Sequence, residues 1–391
     1  MMKLKNDKHK LLFLIQASLW KTGDLRVIVD SELYDAMKAH SIITLSASIL
    51  NRLDFSDDLY ELWKNSIYTQ IAYNVNCRRV QSNLSLSVPY VILKGTEAAK
   101  YYQYPMYRAL GDIDIITRQE DFDIALRELL DTGYEIEKNY DREIGLTKNG
   151  VMIELHRSFA KLNNPIHAEY LDNLIIQNIN PTHILPDSVN GLVLLEHISQ
   201  HLVRGLGLRQ IIDWMMFVDK CLSDEEWPEF QVLARNIGLE TLAIVTTRMC
   251  EIYLGLPERK WCESADQNIC AQLIEYVLDC GNFGNKREND RGNTENVFIY
   301  ARNPVALFKL LQRQGIKNWK AINDFPILRP FAWCYQATRY VRKGLSQDNA
   351  GKELREAFIE ANKRKAMFDA LGVRQDSKGL VVYKDGKYVK E

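Results

Sequence analysis

Two aspartates one residue apart, Asp112 and Asp114, close the stretch VILKGTEAAKYYQYPMYRALGDID, and IELH follows about forty residues later, at Ile153 to His156. A strand over Asp112 to Thr117 would put both carboxylates on one face and Ile113 and Ile115 on the other. Like charges about 7 Å apart along a strand repel. A hard divalent cation with oxygen ligands, Mg²⁺ above all, relieves that repulsion. In a second strand, Val151 to Leu155, the alternation turns Met152, Glu154 and His156 away from Ile153 and Leu155, so Glu154 can supply a third carboxylate. Another Asp-x-Asp, Asp121 and Asp123, serves as a control. It opens an amphipathic pattern through Phe122, Ala125, Leu126, Leu129 and Leu130, and so reads as first-turn carboxylates facing a helix dipole.

The acids need elements to hold them. Val91 to Leu93, after Pro89, reads as a buried strand. Lys94 and Gly95 end it, Thr96 caps a helix over about Glu97 to Gln103, and Pro105 stops that helix. A strand, a glycine turn and a helix N-terminus together offer backbone N–H groups to a phosphate, and Gly95 permits close approach. Lys94 and Arg108 have two readings, as cations for phosphate or as partners of core carboxylates. His156 either orients a ligand or acceptor, or is bonded structurally in its strand. His197 and His201 lie four apart on a helical pattern and share a face with Arg204. That face is either cationic and turned to a triphosphate, or packed through hydrogen-bonded histidines. The string EHISQH lacks the H-E-x-x-H order of zinc hydrolases.

These residues resemble the DNA polymerase beta-like nucleotidyltransferases, through Gly95-Thr96, Asp112-x-Asp114 and Glu154. The chain is more closely similar to a bacterial group of uncharacterised nucleotidyltransferases, through Tyr90 to Gly95, Arg108, Asp112 to Asp114 and Glu154 to His156. The match is good over about Ser87 to Phe159. Thr96 replaces a commoner serine, and Thr117-Arg118 follows where an apolar residue is usual. The resemblance implies transfer of a nucleoside monophosphate from an NTP, ATP by default, to an acceptor, with release of pyrophosphate. It implies one or two Mg²⁺ on Asp112, Asp114 and Glu154, with Lys94, Gly95, Thr96 and Arg108 at the nucleotide. A catalytically silent nucleotide-binding or regulatory protein on the same fold is the alternative, and a phosphotransfer or hydrolytic enzyme is a third reading. The acceptor, small molecule or macromolecule, is not encoded in any motif.

With 391 residues, 46% hydrophobic and 26% charged, the chain has material for two or three globular domains rather than a disordered one. Net charge is −1, but residues 301–391 carry 19 Lys and Arg against 9 Asp and Glu, a balance of +10 that leaves −11 for the rest. Those basic residues are scattered along helical patterns, which favours a solvated face over nucleic acid. Seven cysteines without a C-x-x-C pair read as reduced core thiols. LLFLI near the N-terminus is too short for a signal h-region, and no run of about 18 apolar residues could span a membrane. The cytoplasm is the expected compartment.

The expected fold class is α+β: a small mixed-sheet nucleotidyltransferase core at 87–180, a helical region at 1–86 bracing it, and a helical region at 181–391. The aromatics Tyr60, Trp63, Tyr68 and Tyr73 read as packing within the N-terminal helices. Gly133 reads as a helix C′ residue, Lys148-Asn149-Gly150 and Asp385-Gly386 as hairpin turns, and 281–296 as a surface loop.

Overall fold

The computed structural model describes residues 6–20, 27–282, 304–345, 350–373, 381–384 and 387–390. The chain divides into two compact units, Met1–Lys286 with Val381–Val389, and Arg287–Leu380 with Lys390–Glu391. The expected 281–296 loop and the Asp385-Gly386 turn lie, except for Gly281 and Asn282, outside the described residues.

The first unit is built on a five-stranded mixed sheet. Its strands are β3 (Tyr90–Leu93), β4 (Ile113–Thr117), β5 (Glu135–Asn139), β6 (Glu143–Lys148) and β7 (Val151–His156), in the order β3-β4-β7-β6-β5; β1 (Val27–Ile28) and β2 (Leu53–Asp54) form a separate short parallel pair. Only β4 and β7 run parallel within the five. The β6–β7 hairpin closes through Asn149 (φ 52°) and Gly150 (φ 75°), as the Asn-Gly signal requires.

One face of the sheet carries Ile113, Ile115, Ile144, Leu146, Val151, Ile153 and Leu155, which pack with Phe122, Ala125 and Leu129. Those three belong to α5 (Phe122–Asp131). Beyond it Gly133 takes φ 90°, and the Gly133 and Tyr134 amides donate back to Leu130 and Leu129, so the helix ends in a Schellman turn. Asp121 and Asp123 stand at the start of α5, as the control reading expects.

Helical flanks complete the α+β architecture. Before the sheet come α1 (Asn6–Trp20), α2 (Ser31–Ala39) and the 26-residue α3 (Asp57–Ser82). Of the α3 aromatics Trp63 is wholly buried and donates to Ser46, whereas Tyr68 is exposed. After the sheet come α6 (Pro165–Gln177), which no sequence pattern above anticipates, then α7 (Asp187–Arg204), α8 (Leu208–Cys221), α9 (Trp227–Asn236), α10 (Glu240–Leu254) and α11 (Gln267–Cys280). The open edge of β3 is covered by His183, whose carbonyl accepts from the Ile92 amide and whose ring stacks on Tyr90 at 3.9 Å.

All seven cysteines are free thiols. In the second unit helices Pro304–Asn318 and Ala332–Leu345 pack so closely that a Cβ at Gly315 would stand 1.9 Å from the Ala332 carbonyl oxygen. No described helix is long and apolar enough to cross a membrane.

Candidate functional site

The face of the sheet opposite the α5 core carries the acids, and strand register decides which of them meet. Asp114 on β4 lies beside Glu154 on the parallel neighbour β7, and Ile116 beside His156. One ligand atom from each of Asp114, Glu154 and His156 falls within 4.8 Å of the others. Asp112 does not join this group. Strand β4 begins at Ile113, one residue later than the alternation predicts, and leaves Asp112 exposed at its mouth. Its charge still acts on Lys94 and Glu154.

Asp114 is almost fully buried, with Lys94 Nζ at 2.7 Å and His156 Nε2 at 3.0 Å from the same Oδ1. Burial alone would push this carboxyl up, but Lys94 and His156 outweigh it and hold the group well below the usual carboxylate range. Lys94 responds in reverse. Burial pulls its ammonium down, while Asp114, Asp112 and Glu154 hold it above the ordinary lysine value. The Phe159 ring lies 5.5 Å beneath it. Glu154 is pushed up to about 8 by burial, then by the charges of Asp114 and Asp112. Lys138 reaches to 3.8 Å from Glu154, turned there by a bulge between Ile136 and Lys138. Glu143, opposite His156 on β6, pairs with Lys161 at 3.1 Å.

The β3 turn is sharper than the sequence suggests. Lys94 (φ 53°) and Gly95 (φ 38°) both enter the left-handed region, and α4 (Gly95–Ala99) begins at once with Lys94 as its N-cap. A non-glycine residue in such a conformation costs on the order of 1–3 kcal/mol. Thr96 therefore lies inside the helix instead of capping it. Its hydroxyl donates to Gln81 on α3 at 2.7 Å.

Arg108 follows its second reading and pairs with a core carboxylate. Its Nε and Nη2 bond Asp213 Oδ1 and Oδ2 on α8 at 3.0 and 2.6 Å, and Tyr102 donates to Oδ1 as well. The connection from Pro105 to Gly111 is then clamped by α3. Buried Asn74 donates to the Met106 and Arg108 carbonyls and accepts from the Leu110 amide, while Tyr73 donates to the Gly111 carbonyl. Asn74 and Asp213 are positioning residues that no local motif announces. Both act across more than 30 positions of sequence.

His197 and His201 are buried together on α7 with ring centroids 4.7 Å apart. Burial pushes His197 well below the ordinary histidine value, and His201, Lys94, Arg209 and Arg108 push it the same way. Burial and these charges disfavour the protonated form that the cationic-face reading of this helix requires of His197. The side chain of Arg204 lies outside the described residues.

Behind the site the segment after β7 is gripped by two buried acids. Asp172 Oδ1 on α6 accepts from the Phe159 and Ala160 amides, and Glu196 Oε1 on α7 accepts from Lys161 N at 2.7 Å. Tyr388, on the C-terminal hairpin of β8 (Val381–Lys384) and β9 (Lys387–Lys390), bonds Asp172 and the Ala160 carbonyl. Burial raises Asp172 to about 6 and Glu196 to about 7. Between the unfolded carboxyl pKa and those values the native state retains protons that the unfolded chain has lost, so stability falls as pH rises. Each acid contributes on the order of 3 kcal/mol to that fall. Relative to Glu196→Gln, the parent protein should lose unfolding free energy in urea between about pH 4.5 and 7. A constant difference across that window would refute the burial effect.

As a cation site the cluster offers two carboxylates and one imidazole. Asp114 and Glu154 suit a hard divalent ion; His156, bonded to Asp114, is placed to orient that carboxylate. The family model described as uncharacterised nucleotidyltransferase matches residues 28–255, more than half of the chain and the whole five-stranded sheet. No curated protein and no solved structure matches.

Proposed function

The chain belongs to the uncharacterised nucleotidyltransferase family and is an enzyme of the nucleotidyltransferase type; from that premise we propose that it moves a nucleoside monophosphate from an NTP, ATP by default, to an acceptor hydroxyl or phosphate with release of pyrophosphate. The observation that carries this reading is the pairing of Asp114 with Glu154 on adjacent parallel strands, beside the Lys94-Gly95 turn.

In this reading Asp114 and Glu154, with Asp112 at the mouth, would hold Mg²⁺. The bound ion would neutralise charge on the transferring phosphoryl group and on the departing pyrophosphate. The chain's own residues do the positioning. Asp114 is kept ionised by Lys94 and His156, so it is ready to bind a cation without first losing a proton. Glu154 is held above the ordinary glutamate range by burial and by its neighbours' charges. The glycine turn stands beside the mouth of β4, where a Cβ at Gly95 would lie 3.8 Å from the Asp112 carbonyl oxygen. The Phe159 ring helps keep water from Lys94. Residues 87–180 form the catalytic core in this proposal, and α7 and α8 of the same unit border its substrate.

The test is ATP binding by calorimetry with and without Mg²⁺, followed by product analysis against a panel of acceptors. Mg²⁺-dependent binding with acceptor-dependent pyrophosphate is the expected result. Orthophosphate instead of pyrophosphate, or no nucleotide bound by folded protein, would overturn the proposal.

A further inference from the structure

With Arg108 tied to Asp213, the nucleotide's phosphate chain lacks the arginine that the sequence pattern assigns to it. A second guanidinium stands beside it. Arg209 opens α8 one helical turn before Asp213, so both side chains lie on the same helix face. Asp213 nevertheless does not serve it, because both Asp213 oxygens are taken by Arg108 and Tyr102. Among the described residues no carboxylate lies within ion-pair distance of Arg209. Among those residues its one side-chain hydrogen bond runs from Nη1 to the Ala109 carbonyl at 3.4 Å, an oxygen that Arg108 Nη1 already occupies at 3.1 Å. Its Nε is buried without a partner among the described residues.

A guanidinium in this setting is expensive to maintain. It is partly withdrawn from water, it faces another guanidinium, and it leaves a forked donor set largely unused. Burial and the Arg108 charge lower its pKa, while Asp213 and Asp112 raise it. Its bond to Ala109 fixes its place: Arg209 lies against the connection that leads three residues later to Asp112, whose charge it feels, and it also acts on His197. It therefore borders the acids that would hold the cation, on the side of the 108–112 connection. An anion lying between a cation on the acids and Arg209 would satisfy both.

We propose that Arg209 is the phosphate-binding arginine of this site, engaging the outgoing β- and γ-phosphates of the NTP through its open donor edge. The inference rests on the nucleotidyl-transfer reading above, and it names a residue that neither the motif nor the family match singles out. Arg209 contacts substrate in this assignment; Arg108 positions the connection through Asp213 and does not.

Calorimetry on the full chain with Mg²⁺ and either ATP or inorganic pyrophosphate tests this, using Arg209→Gln, Arg209→Lys and Arg78→Gln. Arg78 is a control: it is also half-buried with an orphan Nε, but it bonds the Pro105 carbonyl and feels the charges of Arg108 and Glu97. Arg209→Gln should weaken both ligands by at least about tenfold, with Arg209→Lys intermediate and Arg78→Gln unchanged. Because an unpaired cation is removed, the melting temperature of ligand-free Arg209→Gln should stay level or rise. A lowered melting temperature without ligand would mark a structural role and overturn the assignment. So would parental affinity in Arg209→Gln, or equal losses in Arg78→Gln. If the parent protein binds neither ATP nor pyrophosphate, the functional reading itself fails and this inference with it; parental binding with an unaffected Arg209→Gln removes only the arginine.

Discussion

Asp112→Asn should lower turnover by about 10²- to 10³-fold or more while leaving the unfolding free energy unchanged. Asp112 is exposed at the mouth of β4 and has no hydrogen-bond or ion-pair partner among the described residues, so no direct contact of the fold is lost with its charge. Asp114→Asn should lose turnover to a similar degree and stability as well. There the amide would leave the Lys94 ammonium without its counter-charge in a buried setting, a loss on the order of 3 kcal/mol. Measuring initial rates and urea denaturation on both variants separates chemistry from scaffold. Retained turnover in Asp112→Asn would remove that residue from the site. An Asp114→Asn protein as stable as its parent would show that the Lys94 pair contributes nothing to folding.

Asp213→Asn should destabilise the fold by about 3–5 kcal/mol, the largest stability effect expected of a single polar substitution here. Both partners are almost fully buried, the contact is bidentate, and Tyr102 adds a third bond to the same carboxylate. Burial would lower the Arg108 guanidinium, yet Asp213 and its hydrogen bonds hold it above the ordinary arginine value, so removing Asp213 strands a full charge in the interior. Arg108→Lys should not be conservative, because an ammonium cannot reproduce the fork. Replacing both partners with apolar residues of similar volume should recover much of the loss. A cost below about 1 kcal/mol for Asp213→Asn would contradict this account.

What could be read from the sequence was what depends on near neighbours. Period-2 alternation placed Asp114 with Ile113 and Ile115 on opposite faces, Asn149-Gly150 turned the hairpin, and Gly133 closed α5. The same alternation extended β4 one residue too far, since nothing local says that Asp112 lacks a strand partner. Thr96 had the right chemistry for a cap, but the left-handed backbone at Lys94 started the helix early and turned the hydroxyl to Gln81. Arg108 had two partners open to it, and the one it takes is 105 positions away. Asn74, Asp172, Glu196 and Arg209 escaped notice for the same reason: each acts through contacts that only the packing of α3, α6, α7 and α8 on the sheet creates.

The grip on the segment after β7 also has a kinetic signature. The amides of Phe159, Ala160 and Lys161 are bonded to side-chain carboxylates on α6 and α7, not to a neighbouring strand or a helical turn. Fraying of β7 cannot by itself release them, and neither can fraying of either helix end. Their protons can exchange with deuterated solvent only when α6 or α7 lifts from the sheet, so their exchange rates report the opening free energy of that contact. Three consecutive backbone sites thus form a natural gauge of how firmly the helical region is seated on the core.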